Sequence, residues 1–146
     1  MTAIALALTI VVAAIALLHA YWATGGLWPG STPADLSNIV VGRPPARTMP
    51  SPRLTAVVAA MIAGAAAWPL LLSPLVSRYI APELATLGSL GLASVFLLRG
   101  LAGFTPWMAR RHSAEPFATY NRKYYSPLCL ALGAGFLILA LNGGTP

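Results

Sequence analysis

An all-α fold, a compact four-helix transmembrane bundle with two long loops on the same membrane face, is predicted by three features of this 146-residue sequence. Hydrophobic residues make up 58% of the chain and charged residues 8%, against about 25% charged residues in a soluble domain. Four apolar runs, at about 3–23, 53–73, 83–101 and 126–142, come close to the roughly 20 residues that cross a bilayer as a helix. The connections between them are unequal, 24–52 and 102–125 being long and rich in Pro and Gly, and 74–82 short. One integral membrane domain, 1–146, accounts for the whole chain.

Each run is helical because a backbone in lipid must satisfy its own hydrogen bonds. The first, Ala3 to Ala23, has no basic segment before it and no convincing cleavage site after it, so it is expected to be a retained span rather than a signal peptide. Gly25-Gly26 ends it with a sharp turn. Thr32-Pro33-Ala34-Asp35 supplies a cap, a first-turn proline and an acid for a short surface helix with Leu36, Ile39 and Val40 on one face. Ser51-Pro52 starts the second span, Pro69 predicts a kink or early unwinding in it, and Pro74 bars its extension. Pro82-Glu83 opens the third span, and Thr105-Pro106 opens a second surface helix that mixes Trp107 and Met108 with Arg110 and Arg111. Ser126-Pro127 reads as cap and first residue of the fourth and shortest span. Small residues four apart (Ala56, Ala60 and Gly64; Ala85, Ser89 and Ala93; Ala131 and Gly135) are expected to face neighbouring helices, because lipid gives no hydrophobic drive for association.

Eight Arg and one Lys stand against Asp35, Glu83 and Glu115. The cations are few and sit at the ends of apolar runs, so a nucleic-acid partner is set aside in favour of anionic phospholipid headgroups. Arg43, Arg47, Arg53, Arg110, Arg111, Arg122 and Lys123 lie on or beside the long loops, and only Arg78 on the short one. The positive-inside rule then puts the long loops in the cytoplasm and both termini outside, in a bacterial inner membrane. Cys129 is the sole cysteine, which excludes an intramolecular disulfide and a C-x-x-C redox pair.

The chemistry-bearing residues gather at the long-loop end, as do nine of the 13 aromatic residues. His19 lies about one turn inside the first span and shares a face with Trp22 and Gly26. An ionisable group at that depth is either a functional residue or a packed neutral histidine. Arg99 ends the third span, where its guanidinium either snorkels to headgroups or pairs inside the bundle. Asn121, Arg122, Tyr124 and Tyr125 bring an amide, a cation and two hydroxyls to the start of the fourth span. Ser126 is read first as a helix cap and Cys129 as a small buried apolar residue. Candidate ligand-binding residues are therefore His19, Trp22, Arg99, Asn121, Arg122, Tyr124 and Tyr125, with His19 and Tyr125 as catalytic candidates. No clustered ligands point to a metal site, and no cofactor is expected, single-His haem ligation being the weak exception.

The stretches H-A-Y-W-A-T-G-G, L-R-G-L-A-G-F and F-A-T-Y-N-R-K-Y-Y-S-P-L-C-L resemble a family of small bacterial four-span membrane proteins known only as a domain of unknown function. The resemblance runs from the first helix to the last, with Y-S-P-L-C-L its most specific piece. Related sequences often carry Asp where this chain has Asn121, a departure that argues against proton handling at that position. The resemblance supports the architecture and implies no activity. The leading reading is a non-catalytic accessory subunit, or a lipid- or small-molecule-binding component with a polar-aromatic pocket at the cytoplasmic leaflet. It could work within a larger membrane complex or a homo-oligomer. An enzyme acting on a lipid, quinone or isoprenoid, with His19 as acid/base, is the alternative; an oligomeric small-solute transporter ranks third.

Overall fold

A computed structural model describes residues 3–44, 49–73 and 76–142. The described residues are mostly helical and contain no strand. The helices are α1 (Ala3–Ala23), α2 (Pro33–Val40), α3 (Pro52–Leu71), α4 (Pro82–Ala102), α5 (Pro106–Arg111), α6 (Phe117–Tyr120) and α7 (Ser126–Leu141). A 3-10 turn at Ser77–Tyr79 lies in the short connection, and a π-helical turn at Asn121–Tyr125 joins α6 to α7. Among the described residues four helical stretches are long and apolar enough to cross a membrane: α1, α3, α4 and the continuous run Phe117–Leu141. The chain is thus a multi-pass membrane protein of the expected class. Pro74 and Arg47 lie outside the described residues.

The helix starts follow the local signals. The hydroxyls of Thr32, Ser51 and Thr105 accept hydrogen bonds from the backbone N–H groups of Asp35, Leu54 and Met108 at 3.1, 3.3 and 3.2 Å. Each satisfies a first-turn donor that has no partner within its own helix. α1 stops at Ala23, and Gly25 takes a φ of 94°, open to glycine at little cost. Pro69 is buried within α3, which runs through it and ends two residues later at Leu71.

α1 pairs with α3, and α4 with α7, so each long connection joins the two arms of one hairpin. The hairpins meet over a core that includes Leu8, Val12, Ala66, Ala93, Leu132 and Phe136, where Phe96 stacks on Phe136 with centroids 5.6 Å apart. Trp68 Nε1 donates to Ser89 Oγ at 3.0 Å and Ser89 Oγ donates to the Ala85 carbonyl at 2.8 Å, tying α3 to α4 inside the apolar region. Outside α5 and the loops, the exposed side chains include Ile10, Leu17, Met61, Leu87, Val95 and Leu98, a surface suited to acyl chains rather than water.

Three expectations change. The fourth span does not begin at Ser126; it is the 25-residue run Phe117–Leu141, the longest of the four. Ser126 is therefore no cap but a fully buried residue within a continuous helix. The third is the small-residue stripes. Ala85, Ser89 and Ala93 are buried as expected, but Ala56, Ala60 and Gly64 are exposed, and α3 buries Thr55, Ala59, Ala65 and Ala66 instead. Ala131 is exposed too, whereas Gly135 faces α1 as expected, an added Cβ there lying 2.9 Å from Leu8 Cδ2, and a second close approach occurs at Gly133, whose added Cβ would lie 2.6 Å from Leu97 Cγ. Four-residue spacing identified a helix face but not the direction it points.

Candidate functional site

The π turn organises the polar end of α7. Proline in a continuous helix lacks an N–H and crowds the carbonyl four residues before it. At Pro127 the chain avoids this with one wider turn, in which the Ser126 N–H bonds the Asn121 carbonyl five residues back. Residues five apart do not share a face of an α-helix, whereas the π turn brings the side chains of Asn121 and Ser126 together. Ser126 Oγ donates to Asn121 Oδ1 at 3.2 Å.

Asn121 is 2% exposed and is bonded at both ends of its amide. Oδ1 also accepts from Arg99 Nη2 at 2.9 Å, and Nδ2 donates to the Gly103 carbonyl at 3.0 Å. Arg99 thus reaches into the bundle from the last turn of α4 rather than snorkelling. Its Nη1 is buried without a hydrogen-bond partner, a costly condition for a charged donor. Gly103 is required where it stands, since a Cβ there would fall on Ser126 Oγ and lie 3.0 Å from Asn121 Nδ2. Asp35 and Glu115 are occupied nearby in chain terms, accepting from the N–H groups of Ser31 and Thr119 at 2.8 and 3.3 Å.

Asn121 and Gly103 form part of the wall of a recess of about 230 Å³ that opens at the long-loop end. Met108, His112, Ser113, Glu115, Thr119 and Arg122 also line it. His112 Nδ1 lies 2.7 Å from the Val41 carbonyl. A carbonyl only accepts, so Nδ1 carries the proton of this contact, which leaves Nε2 turned to other partners.

The two long loops are fastened together beside this recess. Besides the His112–Val41 bond, the Ala114 N–H donates to the Gly42 carbonyl at 3.1 Å, and Tyr125 Oη donates to the Ile39 carbonyl at 3.2 Å. Gly42 has a φ of 70° and sits against the Phe117 ring with no room for a Cβ. Aromatic contacts continue from Trp107 to His112, Phe117, Tyr125, Tyr120 and Tyr124, with neighbouring centroids 5.7 to 6.4 Å apart. This chain of rings lies within the α4–α7 hairpin, and the hydrogen bonds from His112, Ala114 and Tyr125 fasten it to the loop of the other.

His19 and Trp22 stand elsewhere. They line a separate recess of about 170 Å³ with Val40, Val41, Met49, Leu54, Thr55 and Val58. His19 Nδ1 lies 2.8 Å from the Ile15 carbonyl of its own helix, its ring meets Trp22 edge to face at 4.9 Å, and Trp22 Nε1 donates to the Trp28 carbonyl at 2.8 Å. The expected residues therefore divide into groups. Arg99 and Asn121 are bonded, and Arg122 shares the recess with Asn121. Tyr125 braces α2, and Tyr124 is exposed beneath the Lys123 ammonium, 5.3 Å from the ring centroid. Among the described residues no hydrogen bond or ring contact joins His19 to Tyr125, the pair required by the enzyme reading.

Sequence reasoning passed over Ser126, Gly103, His112 and Glu115. Pro127 six residues after Asn121 was the available signal for Ser126, once the helix is known to continue through the proline. Among the described residues no group of three His, Cys, Asp or Glu side chains is placed to hold a metal ion.

No curated protein and no solved structure matches the chain. Residues 12–136, which include every helix end described above except the outer ends of α1 and α7, match the family described as "Protein of unknown function (DUF3995)", and the chain belongs to that family.

Proposed function

We propose that this protein is a non-catalytic membrane component that holds a phospholipid headgroup in the recess beside Asn121. The observation that carries this reading is the convergence of Arg99 and Ser126 on Asn121 Oδ1, which fixes a buried amide in the wall of a polar recess at a bundle end. A neutral amide and a guanidinium move no proton at neutral pH; they orient and hold. The position suits a headgroup, because the recess opens where the apolar helix surfaces stop and cationic side chains begin.

Orientation follows from charge. Among the described residues Arg43, Arg53, Arg110, Arg111, Arg122 and Lys123 flank the loop end and Arg78 the other, so the recess faces the cytoplasmic leaflet of a bacterial inner membrane and both termini face outside. A reporter active only in the cytoplasm, fused to either terminus, should be silent there; activity would reverse the orientation.

Binding is tested by native mass spectrometry of the purified protein with defined phospholipids. Arg99→Ala should weaken headgroup binding by about tenfold or more, the worth of one charge-assisted hydrogen bond. Unchanged affinity in Arg99→Ala would end this reading. Docking into a larger assembly, through the exposed Ala56, Ala60 and Gly64 face of α3, is compatible with it and separately testable by co-purification.

A further inference from the structure

The recess beside Asn121 contains opposite charges that do not satisfy each other. Arg122, at its α7 side, offers a guanidinium suited to a phosphate. At its other side Glu115 uses Oε2 for the Thr119 N–H at 3.3 Å, which leaves Oε1 for a ligand. His112, fixed through Nδ1 to the Val41 carbonyl, adds Nε2 as a second acceptor when its ring is neutral, and Ser113 adds a hydroxyl. A simple anion would meet Glu115 as a like charge. A ligand complementary to the whole recess carries a phosphate at one end and a donor-rich cation at the other.

We propose that the recess is specific for an aminoethyl phosphate ester, a phosphate bearing a primary ammonium, with the phosphate on Arg122 and the ammonium between Glu115 and His112. This rests on the headgroup-binding reading and narrows it to one class. A primary ammonium brings three N–H donors to the two acceptors and the hydroxyl. A trimethylated ammonium has the same charge and no N–H, so it leaves those acceptors unpaired. The chemistry occurs in an aminoethyl phospholipid and in the free soluble ester, and the place of the recess at the end of the apolar helices favours the lipid.

The test is competition on the full-length protein in nanodiscs or detergent, read by native mass spectrometry. The probes are phosphatidylethanolamine, its mono-, di- and trimethylated forms, and phosphatidylglycerol, all with the same acyl chains. Wild type should lose affinity stepwise with methylation, by about tenfold from the primary to the trimethylated ammonium. Glu115→Gln should abolish that difference while binding phosphatidylglycerol at least as well as wild type. Arg122→Gln should weaken all of these lipids together. Soluble phosphoethanolamine, added in excess, should leave the lipid bound; displacement would assign the site to the soluble ester. Equal affinity of wild type for the primary and trimethylated forms, or a preference that survives Glu115→Gln, would overturn the proposal. Either result leaves the Arg99 test standing, because that test asks whether any headgroup is held.

Discussion

The two hairpins each place a nitrogen-rich side chain near the loop end of their first long helix, and they satisfy it in opposite ways. In the α1–α3 hairpin, His19 bonds the Ile15 carbonyl one turn back on its own helix. That carbonyl already accepts the helical hydrogen bond from the His19 N–H, so the side-chain contact is redundant and commits the ring to no tertiary partner. In the α4–α7 hairpin, Arg99 reaches across to Asn121, which is bonded in turn to Ser126 and Gly103. The difference teaches where a buried polar residue carries information about the fold. A locally satisfied group is portable, whereas a group satisfied across helices fixes register and is costly to disturb.

Substitutions can break this contrast, beginning with the largest effect. Asn121→Leu removes the partner of Arg99 Nη2, Ser126 Oγ and the Gly103 carbonyl at once. It should lower stability in mild detergent by about 3 kcal/mol, measured by thermal or denaturant unfolding. Gly103→Ala should cost about 2 kcal/mol, because the new Cβ must displace Ser126 from a packed position. Trp68→Phe keeps an aromatic ring but removes the donor to Ser89 and the part of the indole packed on Gly88, and should cost about 1.5 kcal/mol. His19→Phe should change stability by less than about 0.5 kcal/mol. A loss at His19 equal to that at Asn121 would erase the distinction between the hairpins.

The sequence made the first three spans legible because apolar length and the Ser/Thr-Pro starts are local signals, and they located α1, α3 and α4 to within two residues and the starts of α2 and α5. It also placed Arg99 and Asn121 at the same end. Less legible was whatever depended on the π turn. Ser-Pro at 126–127 resembles a helix start as closely as it resembles a proline carried through a helix, and only tertiary packing selects between the two. The partnership of Asn121 with Ser126 was hidden for the same reason, since their spacing of five matches no α-helical face. Ala56, Ala60 and Gly64 show a further limit: small residues permit close approach, but lipid tolerates them equally well. The division of the candidate residues between two recesses follows from the hairpins, each of which closes around its own loop.

The central claim, that Arg99 acts through Asn121 to build a headgroup site, is tested most directly by a double-mutant cycle on phospholipid affinity. Arg99→Ala, Asn121→Ala and the double variant would be compared with wild type by native mass spectrometry, each first shown to be folded by circular dichroism. If Arg99 serves to hold the amide, each single substitution weakens binding and the double is no worse than the weaker single. Additive losses, or affinity unchanged in either single variant, would contradict it.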